Sequence, residues 1–168
     1  MKPCPYPVER LLPQAHPMIL IDEIVGCEQN RLWAAVDVRP GAPFFQEGCG
    51  IAAHIAIEWM AQTCAALVGL EANDAGQKVG LGLLLGTRNF KATVPWFRVG
   101  ERFIITGSLA YRDQQMGVFD CAVARDPGAE MVATAQLTTY QPGDLAALME
   151  PALMKTLGQD PEKAGSGA

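Results

Sequence analysis

The sequence predicts an α+β domain in which one long central helix is wrapped by a curved antiparallel sheet of about five to six strands. Three observations point there. Residues 49–70, CGIAAHIAIEWMAQTCAALVGL, form a run of 22 residues with one formally charged side chain, Glu58. Stretches that alternate with period two lie on both sides of it, and the later ones are joined by short turn signals, RDQQ and DPGAE. A helix apolar all round has to be covered on all sides, and antiparallel strands with short connections can curl about it. At 168 residues, 49% of them hydrophobic and 18% charged, the chain can bury a full core without disulfides or metals. One domain over residues 1–142 is expected, with a C-terminal helical extension and flexible tail over 143–168.

Taken in order, Val8 to Leu12 can make a helical turn that Pro13 ends. A first strand is expected over 18–28 and closes on the turn signal EQN. Leu32, Ala34, Val36 and Val38 then alternate with Trp33, Ala35, Asp37 and Arg39, which is a half-buried strand. After the apolar helix a strand is expected over 79–91. Phe103, Ile105, Gly107, Leu109 and Tyr111 alternate with their neighbours in the next, and two more follow over 117–125 and 131–141. Residues 144–157 have helical composition interrupted by Pro151, and GQDPEKAGSGA reads as a disordered tail. Two strands, one long helix and four strands in close succession make the hotdog arrangement.

Several function classes are set aside by composition. A net charge of −5 gives no support for nucleic-acid binding. Five cysteines, at 4, 27, 49, 64 and 121, are odd in number, with no CxxC and no His pair at zinc-ligand spacing. They read as reduced thiols in a cytoplasmic protein, and no metal is expected. The opening MKPCPYPVERLLP has prolines and charges where an export signal carries an apolar core. The apolar run is long enough to span a bilayer, but Glu58 and Gln62 would then sit near the bilayer centre and no Lys or Arg flanks either end. A buried helix of a domain without a membrane span accounts for the same pattern.

Glu58 is the residue that stands out. An unpaired buried carboxylate is costly, so a single acid in such a run is either satisfied by a neighbour and kept for packing, or kept for chemistry. His54, four residues earlier, would share its helix face.

LLPQAHPMILIDEIV, IEWMAQ, RNFKATVPWFRVGERF and ATAQLTTYQP fall in the order found in the hotdog 3-hydroxyacyl-acyl-carrier-protein dehydratases. Around IEWMAQ and LLGTR the chain most resembles the dehydratase-like proteins of aryl-polyene clusters. The resemblance covers residues 8–142. It implies a homodimer or a pair of like subunits, with an acyl-thioester tunnel along the central helix at the subunit interface. The implied reaction removes water from a 3-hydroxyacyl chain carried on acyl carrier protein or coenzyme A. The substrate brings its own phosphopantetheine, and no cofactor is needed.

That reaction needs a base for the C2 proton, an acid for the leaving hydroxyl, and donors for the thioester oxygen. Glu58 aligns with the family acid, and an acid held among apolar side chains keeps its proton more readily. Backbone amides over Gly50, Ile51 and Ala53, read as a helix N-terminus, are the expected oxyanion donors, with Gln62 as a further substrate-binding side chain. The family base is a His about 14 residues before the Glu; here that position is Phe44. His54 and His16 are the chain's only histidines. His54 is either a relocated base or the partner that makes a buried acid tolerable, and His16, beside Pro17, is either a second candidate base or an ordinary strand-entry residue. Cys49 and His54, five residues apart across a helix start, do not make a nucleophilic pair. Between residues 75 and 100 the charged side chains are Lys78, Arg88, Lys91 and Arg98, all basic. They form either a solvated strand face or, through Arg88, Lys91 and Arg98, a docking strip for an acidic carrier protein. A hotdog thioesterase, and a catalytically silent acyl-binding subunit paired with an active dehydratase, are the alternatives to a dehydratase.

Overall fold

The computed structural model describes residues 1–142; the extension and tail expected over 143–168 lie outside the described residues. The expected helical turn is α1, Val8–Leu11. Strands β1 (Glu23–Glu28) and β2 (Arg31–Asp37) form a hairpin, followed by two short strands, β3 (Phe45–Gln46) and β4 (Gly50–Ala52). A 3-10 turn at Ala53–Ile55 then leads into the long helix α2, Ala56–Asp74. After it come β5 (Leu83–Ala92), β6 (Trp96–Phe97), β7 (Arg102–Asp113), β8 (Met116–Asp126) and β9 (Met131–Tyr140). Six strands make one antiparallel sheet in the order β1-β2-β7-β8-β9-β5, and β3-β4-β6 make a small second sheet. This is the hotdog fold that the sequence predicts.

The sheet's inner face packs on α2. Leu32, Ala34, Val36, Phe103, Ile105, Phe119, Cys121 and Val123 are all buried there. Trp59 of α2 lies 4.9 Å from Phe97 and 6.2 Å from Phe103, centroid to centroid, so aromatic contacts lock the helix start to β6 and β7. Gly107 of β7 sits against Cys64 and Thr63, where a Cβ would meet both at 3.3 Å. Further along, Cys64 and Cys121 face each other with 3.4 Å between sulfurs, and all five cysteines are free thiols.

On the other side of α2 lies α1, held by side chain and backbone. Asn73 Nδ2 donates to the Arg10 carbonyl at 2.8 Å, and a Cβ on Gly69 would collide with the Leu11 carbonyl oxygen. Gly69→Ala is therefore expected to cost about 1–3 kcal/mol, read as a lower melting temperature than the parent's by circular dichroism. An unchanged midpoint would mean that α1 gives way without cost.

Three boundaries differ from the sequence reading. The helix starts at Ala56 because residues 50–52 belong to a strand, paired with β3 on one side and β6 on the other. Gly50 is fixed there by a φ of +104° and by the Phe97 carbonyl, which leaves no room for a Cβ. The first strand starts at Glu23 rather than at Met18, and the strand expected from Val79 starts at Leu83.

The segment Ala53–Asp74 is 22 residues long and apolar enough to cross a membrane by length and composition. It is instead the core helix, with 61% of its most apolar window buried. That burial is one-sided. Glu58, Ala61, Ala65, Val68 and Ala72, spaced three to four residues apart, are only half-buried and form one stripe. The sequence expectation of a helix covered on all sides is corrected here: within this chain one face of α2 is left partly open.

Candidate active site

The open stripe of α2 is one wall of a groove of about 700 Å³, a size ordinary for a small-molecule site. Leu83 and Leu84 of β5, Met116 and Phe119 of β8, and Tyr140 of β9 close the other wall. Glu58, Gln62 and Gln14 line the groove as well. Glu58 thus lies on a groove whose lining mixes apolar side chains with polar and charged ones, Glu71, Lys78 and Arg112 among them.

Glu58 is held by one neighbour. Gln62, one turn on, donates from Nε2 to Glu58 Oε1 at 2.9 Å. The same Nε2 donates to the Met18 carbonyl at 2.7 Å, and Gln62 Oε1 accepts from the Leu20 amide at 2.8 Å. Both amide hydrogens of Gln62 are thereby engaged, and the side chain is 1% exposed. Gln62 ties the carboxylate of Glu58 to the loop before β1, and its amide hydrogens are used in doing so. The same bonds explain why β1 starts late. The backbone at Met18 and Leu20 is satisfied by a side chain of α2, so residues 18–20 pair with no strand.

The oxyanion reading of Gly50, Ile51 and Ala53 rested on a helix start that lies elsewhere. Gly50 and Ile51 are strand residues, and the Ala53 amide donates to the Pro95 carbonyl at 3.0 Å. They are not the free amides of a helix N-terminus, because the apolar run continues a strand before it turns into a helix.

Neither histidine is brought to Glu58. His54 falls in the 3-10 turn, where the one-turn spacing of an α-helix does not apply; it is exposed, and its ring has no hydrogen-bond partner among the described residues. The expected His54–Glu58 pair is not formed, and Gln62 holds the carboxylate instead. His16 is exposed and stands 3.3 Å from Glu9, Nε2 to Oε1. Among the described residues, no histidine lines the groove. Phe44, at the position of the family base, is half exposed and has a φ of 64°, a conformation uncommon for a large side chain.

Of the basic residues between 75 and 100, Lys78 lines the groove. Arg88 and Lys91 are exposed on β5, while Arg98 donates from its guanidinium to the Cys49 carbonyl at 2.9 Å. Cys64 also reaches the groove wall, but burial pushes its thiol well above the ordinary range, with Cys121 adding to the effect. It is a packing residue and not a ready nucleophile. No group of His, Cys, Asp and Glu among the described residues is arranged to hold a metal.

One polar residue of the groove was missed in the sequence. Gln14 lines it, and its Oε1 is buried without a hydrogen-bond partner among the described residues. A glutamine between Pro13 and Ala15 carries no sequence signal of that position.

Comparison with known proteins bears on the family and the fold. A family model described as ApeP-like, the ApeP dehydratase, matches residues 6–150. Among solved structures, the dehydratase heterocomplex ApeI:P from Xenorhabdus doucetiae aligns with 29% identity and a TM-score of 0.80, over 86% of this chain and 96% of that one. A hypothetical thioesterase with coenzyme A from Streptococcus pneumoniae aligns at 12% identity and a TM-score of 0.58, over 73% and 86% of the two chains. The E. coli PaaI protein, from a phenylacetic acid degradation operon, aligns at 13% identity and a TM-score of 0.55, over 70% and 80%. These last two share the fold alone. No curated protein matches the chain. The match over most of the sequence places the chain in the ApeP-like dehydratase family.

Proposed function

We propose that this chain is one subunit of a dehydratase that removes water from 3-hydroxyacyl thioesters, and that a second hotdog subunit completes its site. The observation that carries the proposal is a groove holding a positioned carboxylate, Glu58, with no histidine among its described lining residues. An acid alone serves half of the reaction. The base removes a proton from C2, Glu58 delivers a proton to the C3 hydroxyl, and water leaves as the C2–C3 double bond forms. With His54 and His16 both away from the groove, the base comes from the other subunit. The half-open stripe of α2 supports that reading, since a partner would cover it, and the Xenorhabdus relative is itself a heterocomplex.

The substrate is an acyl group on the phosphopantetheine arm of acyl carrier protein, in synthesis of the aryl-polyene or fatty-acid type, and the arm needs no cofactor from the protein. Arg88 and Lys91, exposed on β5, are the basic groups placed to meet an acidic carrier. Free thiols at all five cysteines suit a cytoplasmic enzyme.

The test incubates a 3-hydroxyacyl thioester on acyl carrier protein with the full chain alone, and with the chain co-purified with a histidine-bearing hotdog subunit, and reads the mass of the carrier species. The pair is expected to yield the product lighter by one water and the chain alone to leave the substrate unchanged. Water loss by the chain alone would place the base in this chain. Release of free acid would make the protein a thioesterase, water loss by the pair that is undiminished when this chain carries Glu58→Gln would make it a silent subunit, and no change with either preparation would overturn the dehydratase reading.

A further inference from the structure

We infer that the end of the groove farthest from Glu58 is the entrance for a carrier-borne phosphopantetheine arm, with Lys78 and Arg112 binding its phosphate; this rests on the dehydratase reading of the groove. That end is rimmed by a closed ring of contacts. Glu71 of α2 accepts from Arg112 of β7 at 2.7 Å, and past the end of the helix the Gln77 amide donates to the Ala72 carbonyl at 2.8 Å. From there the chain passes Lys78 to Gly80, where a Cβ would meet Gln141 Nε2 at 2.9 Å. The Gln141 amide donates to the Gln115 carbonyl at 2.8 Å, and the β7–β8 hairpin leads from Gln115 back to Arg112. Each side chain or glycine of this ring lines the groove, as does Lys78, so the ring places both cations on one rim.

The rim differs from the rest of the groove in chemistry and in access. Between it and Glu58 the stripe of α2 is Ala61, Ala65 and Val68, whose side chains offer a ligand no hydrogen bond. At the rim, Gln77, Lys78, Arg112 and Gln115 are exposed to solvent and carry donors. Arg112 spends Nη1 on Glu71, which leaves the rest of its five-donor fork for a ligand. A phosphate stays with water and cations rather than entering an apolar channel, so the arm enters with its thioester leading and its phosphate last. The span agrees. Glu71 lies 13 residues after Glu58, about 20 Å along the axis at the helical rise. An extended arm of peptide-like bonds covers about 16 Å from sulfur to phosphorus. The acyl carbons up to the 3-hydroxyl and the long Lys78 and Arg112 side chains cover the rest. An acyl tail laid the same way would end among charges instead.

The test compares kcat/KM for dehydration of one 3-hydroxyacyl group on phosphopantetheine and on pantetheine, by this chain co-purified with the histidine-bearing subunit. The parent should prefer the phosphorylated thioester by about ten- to hundredfold, the effect of charge-assisted hydrogen bonds. The preference should lie in KM, because the phosphate is remote from the reacting atoms. Lys78→Gln and Arg112→Gln should each lose part of it, and the double variant all of it. Lys78 is exposed, so Lys78→Gln carries the test even if Arg112→Gln, which frees Glu71, melts lower. A parent without the preference, a preference retained in the double variant, or an equal loss on both thioesters would each overturn the inference and leave the dehydratase reading standing. So would a double variant altered only in its dependence on acyl-chain length, which would put the acyl tail at the rim. A coenzyme A thioester preferred over the phosphopantetheine one would make coenzyme A the source of the phosphate and overturn the carrier assignment. A pair that removes water from neither thioester, nor from the carrier-bound substrate, would sink the dehydratase reading and the entrance with it.

Discussion

Glu58→Gln is expected to lower the rate of dehydration by about 10²–10⁴-fold, the usual contribution of a positioned proton donor, while leaving the fold in place. The stability half of this follows from the hydrogen bonds. Gln62 Nε2 donates to Glu58 Oε1, and the oxygen of a glutamine at position 58 accepts that bond equally well. Glu58 is only half-buried in the chain, so no large change in desolvation follows either. The chemical half follows from the lost proton: a carboxamide at that point can orient the hydroxyl but cannot release a proton to it as it leaves. Glu58→Asp keeps the acid and shortens its reach by one methylene, and an intermediate rate is expected. Single-turnover mass measurement of the 3-hydroxyacyl species with the assembled enzyme checks the rates, and thermal melts check the fold. A Glu58→Gln enzyme as fast as the parent would end the assignment of Glu58 as the acid.

How much of this was legible in the sequence depends on the range of the interaction. The alternation over Leu32 to Arg39 and Phe103 to Tyr111 gave β2 and β7 because a period-two pattern records one local fact, which face meets the core. Strands β3, β4 and β6 span two or three residues each, too short for any periodicity. The start of α2 was misread for a related reason. Gly50, Ile51 and Ala52 are buried whether they are strand or helix, so apolarity cannot separate the two, and the deciding facts, the φ of Gly50 and its contact with the Phe97 carbonyl, involve a residue far along the chain. Glu58 was found because a charge in an apolar run is visible locally. What Glu58 does with its neighbours was not: His54 was the obvious partner by spacing, yet the 3-10 turn takes it out of step, and Gln62 takes its place.

The second large effect is expected at Gln62. Gln62→Leu fits the volume but strands the Leu20 amide and the Met18 carbonyl, both previously bonded to the side chain. An unsatisfied buried group costs about 1–3 kcal/mol; with Met18 partly able to reach water, a total loss of about 2–4 kcal/mol is expected, or roughly 5–15 °C in melting temperature for a domain of this size. Gln62→Glu separates the roles of the side chain. Its carboxylate can still accept from the Leu20 amide, but it cannot donate to the Met18 carbonyl, and it faces Glu58 with a like charge. It should therefore disturb the site more than its retained shape suggests, with activity falling beyond what the loss of stability explains. Thermal melts and single-turnover rates on both variants check this. If Gln62→Leu melts with the parent, the strap between α2 and residues 18–20 is not what holds that loop. If Gln62→Glu turns over at the parent's rate, Glu58 does not depend on Gln62 for its position, and the carboxylate must be set by the packing of α2 alone.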